Sequence, residues 1–231
     1  MSPGGAERRA AAAQVLVDDP RRPELSGPDA HHLERVLRLR PGELVVAADG
    51  RGAWTPCRYL GGRRLEPETA VRHEPAPEHP VTVAFAPVKG ERAEWVVQKL
   101  TELGVDRIVV VAAARSVVRW SGDRERTALE RLRRVAAEAA GQSRRVWLPE
   151  VEGVLPLAAL ADRGLCLAEP GAPPLDAAGC RGVAVGPEGG WDEAELALGW
   201  PAVGLGPNVL RAETAAVAAG VLLTAPRAGT V

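Results

Sequence analysis

From Val81 onward the chain alternates short apolar runs with amphipathic stretches, and this alternation constrains the fold more than any other feature. The apolar runs fall at 81–86, 107–111, 165–168, 183–185 and 202–205. The run 107–111 is almost continuously β-branched after Arg107, as a strand buried on both faces requires. Between the runs, 91–103, 124–140, 192–198 and 212–223 carry helical spacing, and Gly104 closes the first of them. Strands and helices in this order predict an α/β domain with a mostly parallel sheet.

The first third is different. Strands are expected at 14–17, 44–48, 53–60 and 65–72, with Asp49-Gly50-Arg51-Gly52 as a hairpin turn. A helix is expected at 31–39, with Leu33, Val36 and Leu37 on one face and Pro41-Gly42 as its stop. Three prolines within 74–80 mark a stiff linker between two domains. The domain reading is therefore 1–74, a linker at 75–80, and 81–231.

Of the 231 residues 46% are hydrophobic, which excludes wholesale disorder. No apolar run reaches about 18 residues, so no membrane-spanning helix is expected. The segment 1–13 lacks the apolar core of a signal peptide. The formal net charge of -1 argues, taken alone, against a nucleic-acid partner. Its distribution does not: 1–80 is neutral, 81–150 carries +4 and 151–231 carries -5. Arginine supplies nearly all the cations, with Lys89 and Lys99 the two lysines, and a planar guanidinium suits phosphate. Cys57, Cys166 and Cys180 share no CxxC spacing, and His31, His32, His73 and His79 complete no zinc pattern. Free buried thiols and no metal are expected.

Two glycine-rich turns each follow a short apolar run. One is Gly186-Pro187-Glu188-Gly189-Gly190 and the other runs from Gly204 to Arg211. Loops at the carboxyl ends of parallel strands are where α/β proteins bind ligands, although tight strand-to-helix connections have the same composition. Neither turn is a P-loop, and Val209 stands where a dinucleotide fingerprint needs its third glycine. Arg211 and Glu213 lie where the second turn enters the last helix. A first-turn carboxylate is favoured there by the helix dipole, and an arginine beside a ligand loop suits a developing negative charge.

These residues, taken together, resemble the RsmE family of SPOUT methyltransferases. The resemblance is carried by His32-Leu33-Glu34-Arg35-Val36-Leu37-Arg38-Leu39 and Asp49-Gly50-Arg51-Gly52 in the first third. Lys89, Gln98-Lys99 and Glu102-Leu103-Gly104 continue it, then Arg115-Ser116-Val117-Val118 and Gln142-Ser143 with Arg145. Gly186-Pro187-Glu188-Gly189-Gly190, Leu205-Gly206-Pro207 and Leu210-Arg211, with Glu213-Thr214-Ala215, complete it. The chain departs from the family pattern at Gln14-Val15-Leu16, at Gly141 and at Asn208.

The resemblance implies a small PUA-like β-barrel RNA-binding domain, then a SPOUT-type α/β domain with a C-terminal trefoil knot, a topology that composition would never suggest. It implies transfer of a methyl group from S-adenosyl-L-methionine to N3 of a specific uridine in 16S ribosomal RNA, by a cytoplasmic homodimer acting within the small ribosomal subunit. The cofactor is expected against Leu167, Ala168, Glu169, Gly186, Pro187, Glu188, Gly189, Gly190, Leu205, Gly206, Val209, Leu210 and Arg211. Arg211 and Glu213 are the expected catalytic pair, as charge stabiliser and base. His32, Arg35, Arg38, Lys89, Arg115, Arg119, Gln142, Arg144 and Arg145 are the expected RNA contacts. With 3% aromatic residues, phosphate contacts rather than base stacking should carry RNA affinity, and the target base must leave its stack to expose N3. The alternatives are a SPOUT methyltransferase for another RNA, such as transfer RNA, and a non-catalytic RNA-binding assembly factor.

Overall fold

The computed structural model describes residues 4–175 and 179–228. The chain divides into two compact units, Met1–Pro77 with Ala137–Leu148, and Glu78–Ala136 with Pro149–Val231. By sequence the stretch 137–148 belongs to the domain after the linker; in the structure its contacts gather it with the first unit.

The first unit opens with α1 (Gly5–Ala10) and β1 (Ala13–Leu16). β1 pairs in parallel with β2 (Leu44–Ala48), and β3 (Ala53–Gly61) returns antiparallel to β2. β4 (Arg64–Pro67) and β5 (Arg72–His73) both pair antiparallel with β3. The β2–β3 turn forms where expected. The Asp49 carboxylate accepts the N–H groups of Arg51 and Ala53 at 2.7 and 3.0 Å, and Gly50 and Gly52 take φ values of 72° and 97°. Val15, Leu25, Leu33, Val45, Cys57 and Tyr59 fill the core of this sheet. Burial pushes the Cys57 thiol up to about 12, so it stays protonated, as a buried free cysteine should. On the other face Trp54 is buried, with the guanidinium carbons of Arg8 and Arg72 each 5.0 Å from its ring centroid.

The expected helix at 31–39 is replaced by two shorter pieces. α2 (Gly27–His31) is capped by Ser26, whose hydroxyl accepts the Asp29 N–H at 3.1 Å. A π turn comes next at His32–Val36, where the Leu37 N–H reaches back five residues to the His32 carbonyl. The wider turn breaks the expected apolar face. Leu33 is buried, but Val36 is 62% exposed and Leu37 43%. Glu34 pins the turn by accepting the Tyr59 hydroxyl and the Gly62 N–H, both at 2.8 Å.

The second unit holds a six-stranded sheet, parallel throughout, in the order β11 (Ala202–Val203), β9 (Leu165–Ala168), β10 (Gly182–Val185), β6 (Thr82–Phe85), β7 (Arg107–Ala112) and β8 (Glu150–Pro156). Its helices are α3 (Arg92–Leu103), the part of α4 (Gly122–Ser143) up to Ala136, α5 (Glu193–Leu196) and α6 (Ala212–Thr224); the end of α4 from Ala137 on groups with the first unit. Gly104 ends α3 at φ 92°. β8 is not predicted by the sequence, because Glu150, Glu152 and Gly153 break up its apolar pattern, and its ladder to β7 is irregular between Val109 and Val110. One face of the sheet buries Val83, Phe85, Ile108 and Val110 among Val96, Leu100, Leu132 and Ala216. The other packs Val109, Leu160, Leu165, Leu167 and Trp191. Each fully buried Leu or Ile adds about 1.5–3 kcal/mol. Gly220 lets α6 approach α3, since a Cβ there would lie 2.6 Å from Leu100.

One expectation is corrected. Cys166 on β9 and Cys180, just before β10, form a disulfide with their Cα atoms 6.1 Å apart. The parallel β9–β10 pairing brings the two together at a span that suits a disulfide, which sequence spacing alone does not reveal.

Candidate cofactor cleft and RNA-facing residues

β9, β10 and β11 end side by side. Their ladders pair Ala168 with both Val185 and Val203, so the three loops after them leave the sheet at one level. Between these loops and the start of α6 lies a cleft of about 150 Å³. Ala168, Glu169 and Pro170 line it from β9, and Val185, Gly186, Pro187, Glu188, Gly190 and Trp191 from β10. Leu205, Gly206, Asn208, Val209 and Leu210 come from the loop after β11, and Ala212 and Ala215 from α6.

Local chemistry explains the shape. Gly190 takes φ 70°, and its N–H closes a turn on the Pro187 carbonyl at 2.9 Å. A Cβ at Gly186 would press on the buried Trp191 indole at 3.1 Å. The loop then ends in a capping box, in which Asp192 and Glu195 exchange backbone and side-chain bonds. At Gly204 the chain leaving β11 passes against the loop after β9. Its N–H donates to the Pro173 carbonyl at 2.7 Å, and an added Cβ would lie 2.5 Å from the Ala172 carbonyl. The lining is apolar with exposed backbone, carries the carboxylates Glu169 and Glu188, and includes no Lys or Arg. It suits a nucleoside with a positively charged tail. Among the described residues, no group of three or more His, Cys, Asp or Glu is placed to hold a metal.

Of the residues expected at the cofactor, the cleft gathers Ala168, Glu169, Gly186, Pro187, Glu188, Gly190, Leu205, Gly206, Val209 and Leu210. Three lie outside its lining. Leu167 faces the sheet core at 1% exposure, Gly189 packs against Arg115, and Arg211 stands exposed as the residue preceding α6. The lining residues not in the expected set are Pro170, Val185, Trp191, Asn208, Ala212 and Ala215. The last two are small residues three apart on the first turns of α6, a spacing that leaves room beside a helix. Glu213 is 12% exposed; one carboxylate oxygen accepts from Arg92 at 3.3 Å, and the other is buried with no hydrogen-bond partner.

The chain matches the family described as RNA methyltransferase domain over residues 74–224, and that described as RNA methyltransferase PUA domain over 25–65. It is 37% identical to ribosomal RNA small subunit methyltransferase E of Mycobacterium bovis, across 84% of this chain and 83% of that protein. The chain belongs to the ribosomal RNA small subunit methyltransferase E family. A Bacillus subtilis protein of the same name is 29% identical over 83% of this chain and 85% of its own length. The crystal structure of the methyltransferase E of Neisseria gonorrhoeae bound to S-adenosyl methionine is similar, with TM-score 0.75 and 28% identity, covering 93% of this chain and 97% of that one.

Within this chain the residues expected to meet RNA fall into two sets. In the first unit His32, Arg35 and Arg38 are exposed around the π turn, with Arg38 at φ 56°. Gln142 is exposed at the end of α4. Arg144 is engaged elsewhere: its guanidinium donates to the carbonyls of Ala11, Ala12 and Gly141 at 3.0, 3.2 and 3.1 Å, and desolvation lowers its pKa from the ordinary value. The Arg145 carbonyl takes the Gln14 amide at 2.6 Å. Two of the three departures from the family pattern thus sit together, since a Cβ at Gly141 would lie 3.2 Å from the Gln14 carbonyl. In the second unit Lys89, Arg115 and Arg119 are exposed. Arg119 donates to the Ala114 carbonyl and Arg115 to the Gly189 carbonyl, each at 3.3 Å.

Proposed function

We propose that this protein methylates N3 of a specific uridine in 16S ribosomal RNA with S-adenosylmethionine, acting on the small ribosomal subunit as a cytoplasmic homodimer. The observation that carries the reading is the glycine-walled cleft at the ends of β9, β10 and β11 in a chain of this family. When bound, S-adenosylmethionine supplies a methyl group carried on a cationic sulfur. The backbone of 186–190 and 205–210 would hold the nucleoside, and Glu169 and Glu188 would balance the positive tail. Residues 1–74 act as the PUA-like RNA-binding domain and 81–231 as the SPOUT methyltransferase domain. The reading includes a C-terminal trefoil knot built from the loops after β9, β10 and β11.

Uridine N3 carries a proton that must leave before it can accept a methyl group. Glu213 receives it, with Arg92 keeping the acceptor oxygen oriented. The charge left on the uracil spreads to its flanking carbonyl oxygens, and Arg211 donates to them from the start of α6. His32, Arg35, Arg38, Lys89, Arg115 and Arg119 hold the RNA backbone. The test incubates the protein and S-adenosylmethionine with small subunits from a strain lacking this modification, followed by nucleoside mass spectrometry. The expected product is 3-methyluridine at one site. Methylation confined to transfer RNA, or S-adenosylmethionine binding without turnover, would overturn the assignment.

A further inference from the structure

Glu195 lies on α5, half-buried and outside the cleft lining, and its two oxygens serve two different loops. Oε2 accepts the Asp192 N–H at 2.8 Å and so fixes the end of the glycine loop. Oε1 accepts the Ala114 N–H at 2.9 Å. Ala114 belongs to the loop after β7, which carries Arg115 and Arg119. That loop is folded on itself, because the Ser116 hydroxyl donates to the Val118 carbonyl at 2.8 Å and Arg119 donates to Ala114. A second tie joins the same two loops. Arg115 donates to the Gly189 carbonyl at 3.3 Å, and its Cβ would meet a Cβ on Gly189 at 3.3 Å. α5 has four residues, too few to hold itself by its own ladder, so its place depends on these bonds.

We propose that Glu195 is a positioning residue for cofactor and RNA binding, whose carboxylate fixes the glycine loop of the cleft and the Arg115 loop as one piece. The proposal rests on reading the cleft as the cofactor site and Arg115 as an RNA contact. A carboxylate can accept from both N–H groups at once. A glutamine at this position would accept one and turn its own amide hydrogens toward the other.

The experiment is Glu195→Gln, measured two ways. Calorimetry gives the S-adenosylmethionine Kd, and steady-state methylation of small subunits gives the RNA KM and kcat. Loss of one charge-assisted bond should raise both the Kd and the RNA KM about tenfold. At saturation kcat should fall less than about threefold, since positioning for binding rather than chemistry is lost. The decisive readout is non-additivity. Arg115→Ala should raise the RNA KM in the wild-type background and add little to Glu195→Gln, because the arginine is no longer aimed. Glu195→Asp, a carboxylate one methylene too short for the span, should give the same losses and carries the test if the glutamine variant does not fold. An unchanged Kd, or full additivity with Arg115→Ala, overturns the proposal. A wild-type protein that binds no S-adenosylmethionine overturns both this and the functional reading. One that binds cofactor but methylates no 16S RNA overturns only the substrate, and the Kd shift still decides the role of Glu195.

Discussion

Single atoms decide the tightest points of this molecule. Gly204 is one of them, because an added methyl meets a backbone carbonyl at 2.5 Å and a carbonyl cannot rotate away as a side-chain tip can. Gly204→Ala should therefore cost about 1–3 kcal/mol, the usual range for forced overpacking. It should also weaken S-adenosylmethionine binding, since the displaced backbone leads directly into 205–210. Gly27→Ala is the control. Nothing lies within 4 Å of its added carbon, so the melting temperature should hold or rise slightly. Glu34 offers a second test at this scale. The Tyr59 hydroxyl, and then the Gly62 N–H, hold its carboxyl below the ordinary 4.5. A carboxyl with a lowered folded-state pKa contributes stability that is fully present above the unfolded value and lost as pH falls through the folded one. Tyr59→Phe should thus flatten the loss of stability as pH falls through and below the ordinary carboxyl value of 4.5, measured by denaturant titration at each pH. A slope equal to that of the wild type would show that the hydroxyl does not hold Glu34.

At the scale of elements, legibility in the sequence depends on how local the cause is. The strands at β2, β3, β7, β9 and β10, and the helices α3, α4 and α6, announce themselves by runs and periods, and Gly104 and the Asp49 turn by their chemistry. The π turn does not, because it depends on Glu34 reaching Tyr59 and Gly62, more than twenty residues on. β8 does not, because its polar residues lie in a strand whose place is set by pairing with β7. In the cleft, the glycine loops are legible. Ala212 and Ala215 are not, since only the close approach of α6 to three strand ends makes them walls. The Cys166–Cys180 bond is likewise hidden in a strand pairing. It joins positions 14 residues apart, and a loop of that size removes about 3 kcal/mol of unfolded-state entropy. Reduction with dithiothreitol should lower the melting temperature by about 6–12 °C, scaled by about 2–4 °C per kcal/mol for a chain of this size. The Cys166→Ser, Cys180→Ser double variant should melt at the reduced temperature whether or not reductant is present. A wild-type melting curve indifferent to dithiothreitol would show that the bond contributes no stability.

For the whole molecule, charge is sorted by task. The segment 151–231 carries -5 and builds most of the cleft, while 81–150 carries +4 and the first unit exposes His32, Arg35 and Arg38. Under the proposed function, a cationic cofactor and an anionic RNA would meet surfaces of opposite sign on one chain of net charge -1. The two ligands should accordingly respond to salt in opposite degree. RNA affinity should fall steeply with ionic strength, because each phosphate contact releases counterions. S-adenosylmethionine affinity, set largely by the apolar walls of the cleft, should weaken only slightly between about 50 and 200 mM salt, since one small cation displaces far fewer counterions than an RNA backbone. Filter binding of 16S RNA fragments across that range gives the slope. Arg35→Ala and Arg38→Ala should each reduce its magnitude by about 0.7, the value for one single-stranded phosphate contact. Arg144→Ala should leave the slope unchanged and lower the melting temperature instead, because its guanidinium holds backbone carbonyls rather than phosphate. If Arg144→Ala changed the slope while Arg35→Ala and Arg38→Ala did not, the RNA-facing surface would lie on the α4 end of the first unit and not on its π turn.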